Sequence, residues 1–108
     1  ALSSAASDVY KRQSDVRTKE GSAAAYYVLE DVFAGGDMDK AEKAIFAYSE
    51  REPQAYWLAK AFILLGDVYV RKGDNFQARA TYQSVADGYS PADDGIVAEA
   101  KERIAKLN

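Results

Sequence analysis

A Gly-Asp pair occurs twice, at Gly36-Asp37 and Gly73-Asp74, and the residues after each pair match position by position. Ala41, Ile45 and Tyr48 follow the first pair, and Ala78, Tyr82 and Val85 follow the second. The offset is 37 residues at every matched position. A period of that size belongs to repeat architectures, in which each unit is one supersecondary element that cannot bury its apolar face alone.

The physics of each copy is the same. A helix runs up to the Gly, which takes the left-handed conformation that ends helices. Asp then caps the next helix by accepting backbone N–H bonds. In the second copy Gln77 stands three residues after Asp74, the spacing of a capping box. The apolar residues that follow recur at i, i+4 and i+7, one face of a helix. Each unit therefore reads as a helix–turn–helix hairpin. The predicted helices cover 22–34, 38–50, 55–72, 75–89 and 94–107, with short connections and no stretch of period-two alternation.

The last helix differs from the others. Ile96, Ala100, Ile104 and Leu107 make a narrow apolar stripe, and Glu99 with Arg103 and Glu102 with Lys106 make i, i+4 ion pairs on the opposite, outer face. That is the pattern of a helix that ends a stack of hairpins. Asp93-Asp94 are expected to cap it. Residues 1–21 form an N-terminal segment in which Leu2, Ala5, Val9 and Val16 give a weak helical stripe, the end of a preceding hairpin or a frayed terminus.

Composition narrows the chemistry. The chain of 108 residues has no Cys and no His, so disulfides, thiolate nucleophiles, imidazole bases and His/Cys metal sites are excluded. Net charge is −3, with Lys and Arg scattered among Asp and Glu and no basic run beyond Lys11-Arg12, a poor match to a nucleic-acid footprint. Residues 56–70 are apolar but shorter than the roughly 20 residues a membrane span needs, and they contain Lys60 and Asp67. Glu30-Asp31 point about 100° apart on a helix and do not converge. The Asp37-Met38-Asp39 triplet lacks the Gly and the bidentate Glu of a calcium loop. Gly35-Gly36 ends a helix instead of opening one after a strand, so it is no phosphate loop. No catalytic residue, cofactor or metal is expected. The chain does not begin with Met and shows no signal peptide, which suits a piece of a longer protein.

Gly66 sits inside a strong helical pattern, at a cost of about 1 kcal/mol against Ala. The hairpin geometry predicts that Gly66 and Ala78 face each other and let the two helix axes close in. Phe62, Leu65 and Tyr69 then pack around them, and burying one such side chain is worth roughly 1.5–3 kcal/mol.

Phe62, Leu65, Gly66, Tyr69, Ala78, Tyr82 and Val85 resemble the tetratricopeptide repeat pattern in residue class and spacing. The first hairpin resembles it through Val28, Val32, Ala41, Ile45, Tyr48 and Pro53. It departs at Leu29, where a small residue is usual, and at Ala25, where a large one is. Tyr56 to Leu58 are inserted between the two units and are expected to lengthen the next helix. The stretches AYWLAKAFILLGDVYVRKGDNFQA, DVRTKEGSAAAYY and DDGIVAEAKERI look like the C-terminal repeat region of large Bacteroidetes proteins of this family. The resemblance implies an all-α superhelical solenoid. Its parts are a divergent repeat at 22–55, a second repeat at 56–92 and a capping helix at 93–108. It also implies a non-catalytic role in protein–protein contact, in proteins whose full-length forms are often directed to the cell envelope.

By the same resemblance, the first helix of each hairpin lines a concave groove. Tyr26, Tyr27, Glu30 and Phe33 fall there in the first unit, with Ala23 beside them, and Lys60, Ile63, Asp67, Val70 and Arg71 in the second, with Leu64 beside them. The groove would take an extended peptide or a partner helix. The competing expectation is that the aromatics are core. Asp67 stands where a carboxylate clamp would want Asn, which argues against such a clamp. Trp57 reads as a wedge between hairpins or as a binding anchor. The expected partner is a protein or peptide, without nucleic acid or membrane insertion. The rival roles are completion of a longer solenoid, a homodimer through Tyr26, Tyr27 and the N-terminal face, or the docking end of a protein whose active part lies upstream.

Overall fold

Thr18 accepts the Gly21 backbone N–H at 3.0 Å, and this cap starts α1 (Lys19–Ala34). The helix begins earlier than the predicted residue 22 because Asp15 and Thr18 close a turn ahead of it, with the Thr18 amide 3.0 Å from the Asp15 carbonyl. The computed structural model describes residues 15–90 and 93–107. The expected stripe at Leu2, Ala5 and Val9, the Lys11-Arg12 pair and Pro91 lie outside them. Val16 is described and is buried in the core.

Both Gly-Asp pairs do what their chemistry requires. Gly36 and Gly73 take φ of 93° and 81°, the left-handed region that glycine enters without a steric penalty. After Gly73 the chain makes a Schellman end: the Gly73 amide reaches the Val70 carbonyl at 3.0 Å and the Asp74 amide reaches Tyr69 at 2.9 Å. Asp37 caps α2 (Met38–Glu50) through the Lys40 amide at 3.1 Å. Asp74 caps α4 (Asn75–Gly88) through the Gln77 amide at 3.0 Å. The capping box differs in one detail. The Gln77 side chain donates to the Asp74 carboxylate at 2.7 Å, since the Asp74 amide is already engaged by Tyr69.

Between the hairpins the chain turns through Glu52 (φ 58°) and the buried Pro53 into α3 (Ala55–Arg71). Tyr56, Trp57 and Leu58 form its first turn. The last helix is α5 (Ile96–Lys106). The N-cap position is Gly95 (φ 93°), without a side-chain cap, and not Asp93 or Asp94 as expected; Asp94, one residue ahead, accepts the Ile96 amide at 3.2 Å, and both aspartates are exposed.

All five described helices pack through one core that includes Leu29, Ile45, Tyr48, Leu65, Val68, Tyr82, Val85 and Ile96. No strand occurs among the described residues. The central helix is α3, which packs against all four others. On one side of the molecule α1, α3 and α5 lie next to one another. On the other, α2 and α4 each fill the angle between successive members of that row, without close backbone contact between them. Tyr26 meets Trp57 and, further along, Phe33 meets Arg71, so α1 and α3 run in the same direction.

Gly66 is excluded from carrying a side chain by a ring and not by Ala78. A Cβ there would lie 2.2 Å from Tyr82 Cε1 and 2.7 Å from Cζ. The close approach is real, but its partner sits one helical turn beyond Ala78, and the ring crosses α3 at the glycine.

A groove at the ends of three helices

The Tyr82 hydroxyl, having crossed Gly66, donates to the Asp67 carboxylate. That same carboxylate accepts Arg103 Nε at 2.9 Å, and Arg103 Nη1 reaches Glu99 at 2.6 Å. One residue from α3, one from α4 and two from α5 thus form a single polar network. Burial lifts the Asp67 pKa above the ordinary carboxylate range, although the Tyr82 hydroxyl and Arg103 both pull it down. This network is the floor of an open groove of about 630 Å³.

Phe33 and Arg71 form one wall of the groove, with the guanidinium 5.0 Å from the ring centroid. Glu102, Lys106 and Leu107 form the other, and Lys106 reaches Glu102 at 3.3 Å. Val70, 40% exposed, lies between them. The C-terminal turns of α1, α3 and α5 meet at this point because the three helices run side by side in one direction. Arg71 in the last turn of α3 and Arg103 with Lys106 in the last turn of α5 also suit the negative ends of those helices.

Of the nine groove residues predicted from sequence, Phe33, Asp67, Val70 and Arg71 come together here. Ile63 does not. It is only 3% exposed and belongs to the core. The reason is that α3 is packed on every side, so the strip of it open to solvent is narrow. Tyr26 is also buried, under Trp57 at 5.6 Å between ring centroids and under the Lys60 ammonium at 5.6 Å. Its hydroxyl pKa is raised by burial, and next by the Glu30 carboxylate beside it. Glu30 itself is exposed.

Tyr27, Trp57, Tyr56 and Lys60 form a separate aromatic cluster around Tyr26. Trp57 lies 5.7 Å from Tyr27 and 5.1 Å from Tyr56, edge to face. Trp57, half-buried, thus packs between the α1 tyrosines and Tyr56. Tyr27, 54% exposed, is the outermost of these rings.

The contribution of α5 was absent from the sequence-based groove. Glu99 and Arg103 were expected on an outer face and instead point into the groove, where Asp67 holds the guanidinium. Tyr82 was expected only as core. The i, i+4 spacing identified the ion pairs, but nothing local in the sequence says which side of α5 meets α3.

Among the described residues no group of three or more acidic side chains is placed to hold a metal ion, and no helix is long and apolar enough to cross a membrane. No protein-family model, curated protein or solved structure matches the chain.

Proposed function

We propose that this chain is a tetratricopeptide-type solenoid segment, two helical hairpins and a closing helix, that serves as a non-catalytic scaffold for protein–protein contact. Its concave side is the row α1, α3 and α5, and its ligand is an extended peptide or partner segment seated in the groove between Phe33, Val70, Arg71 and Leu107. The observation that carries this reading is the preformed groove at the ends of three helices, whose floor is already tied together by Tyr82, Asp67 and Arg103. A floor tied together in this way loses little conformational freedom when a ligand arrives, which favours binding.

The test is a selection from a display library of random peptides tethered at both ends, followed by amide chemical-shift mapping of a selected peptide on the labelled chain. The expected shifts cluster at Phe33, Val70, Arg71, Glu102 and Leu107. Shifts confined to α2 and α4, or a library from which nothing is enriched, would overturn the reading.

A second reading, a segment that completes a longer solenoid or pairs with a copy of itself, is favoured by one observation. Tyr27 and Val28 are 54% and 58% exposed on neighbouring positions of α1. Sedimentation across a concentration series tests it, with Val28→Lys as the control expected to abolish any self-association.

A further inference from the structure

Every carboxylate lining the groove has an internal cation. Asp67 and Glu99 hold Arg103, and Glu102 holds Lys106. The cations are not all used in return. Arg71 is exposed, and among the described residues no carboxylate pairs with it; its guanidinium lies 5.0 Å from the centroid of the Phe33 ring. A contact with a ring uses none of the guanidinium N–H groups as a carboxylate would, and these form a fork of donors matched to a carboxylate. The lining carries three carboxylates and three cations, with Asp67 and Glu99 sharing Arg103, and Arg71 is the groove cation that no carboxylate holds.

Apolar surface adjoins it. Val70 precedes Arg71 in the last turn of α3, and Leu107 faces it from the end of α5. A volume of about 630 Å³ between these walls accommodates more than a single side chain.

We propose that the groove recognises an internal peptide segment that carries an acidic side chain next to an aliphatic one. The carboxylate lies across the Arg71 fork, and the aliphatic side chain covers Val70 and Leu107. This proposal rests on the peptide-groove reading above and adds the chemistry of the ligand. A cationic segment would meet Arg71 as a like charge and would compete with Arg103 and Lys106 for the groove carboxylates. The alternative role for Arg71 is purely structural, as a cation on the negative end of α3.

The experiment uses the full chain and the same display library, whose peptides have no free C terminus. The enriched sequences are expected to share an Asp or Glu beside Leu, Ile or Val. Replacing that acid with its amide should weaken binding roughly ten- to a hundredfold, the range of a charge-assisted hydrogen bond. In Arg71→Gln the acid and amide peptides should bind equally. Val70→Ser should weaken both peptides while preserving the preference for the acid. Circular dichroism of both variants, each at an exposed position, checks that they fold.

Enrichment with no preference for an acid would overturn this proposal and leave the peptide groove standing. So would an acid preference that survives in Arg71→Gln, or binding that requires a free C-terminal carboxylate. A library that yields no binder would overturn both.

Discussion

Gly66 joins local conformation to long-range order. Its missing side chain lets the Tyr82 ring cross α3, and only from there does the Tyr82 hydroxyl reach Asp67, the next residue along. Gly66→Ala gains about 1 kcal/mol of helix propensity, but the new methyl would stand 2.2 Å from a ring carbon. Relieving that contact moves the ring and its hydroxyl, so overpacking dominates and a net loss of roughly 1–3 kcal/mol is expected in chemical denaturation. A variant as stable as the parent would show that the ring moves aside without cost. That something large must face Gly66 is legible from its place in a helix. Which residue it is depends on how far α4 slides along α3, and that follows from packing.

Helix boundaries and turns follow closely from local chemistry. Asp37 and Asp74 are caps, and Gly36 and Gly73 are helix ends, because each feature is set within a few residues of itself. The connection between the hairpins is different. Ser22 is fully buried; its hydroxyl donates to the Val16 carbonyl and accepts the Gln54 amide at 2.9 Å. Tyr48 donates to the Ser22 carbonyl at 2.7 Å, and burial lifts that phenol to about 12. One serine on α1 thus anchors the segment before it, helix α2 and the turn into α3. Ser22→Ala leaves the buried Val16 carbonyl and the part-buried Gln54 amide without this partner, and a loss of roughly 1–3 kcal/mol is expected in thermal or chemical unfolding. A loss no larger than that of an exposed serine, such as Ser84→Ala, would contradict it. Nothing in the spacing around Ser22 marks it, since its partners stand up to 32 residues away.

Over the whole molecule, acidification sets two groups of carboxylates against each other. The pKa of Glu42 is lowered by the Tyr69 hydroxyl and then by Lys72, that of Asp39 by Lys72, and that of Asp74 by the Gln77 amide. A folded pKa below the unfolded one gives stability that is present above the ordinary carboxylate range and is lost as the pH falls through it. Asp67 has the opposite sign. Its pKa is raised by burial, so its contribution is largest at low pH and is lost as the pH rises through its folded pKa. With Asp15, lowered by Arg17, there are four such groups against one, which predicts that the melting temperature falls on acidification through the carboxylate range. In Asp67→Asn, which lacks the opposing group, the fall should be steeper. Equal slopes in parent and variant would show that Asp67 titrates as an ordinary surface acid. By itself the sequence determined the all-helical character of the described residues, the turns between helices and most of the helix limits, because caps, glycine conformations and apolar periodicity act over a few residues. Only the tertiary structure decided that Ile63 and Tyr26 are covered, that Arg103 points inward and that the groove lies where α1, α3 and α5 end. Those outcomes depend on the rotation and offset of helices far apart in the chain, which the shape of the whole core sets.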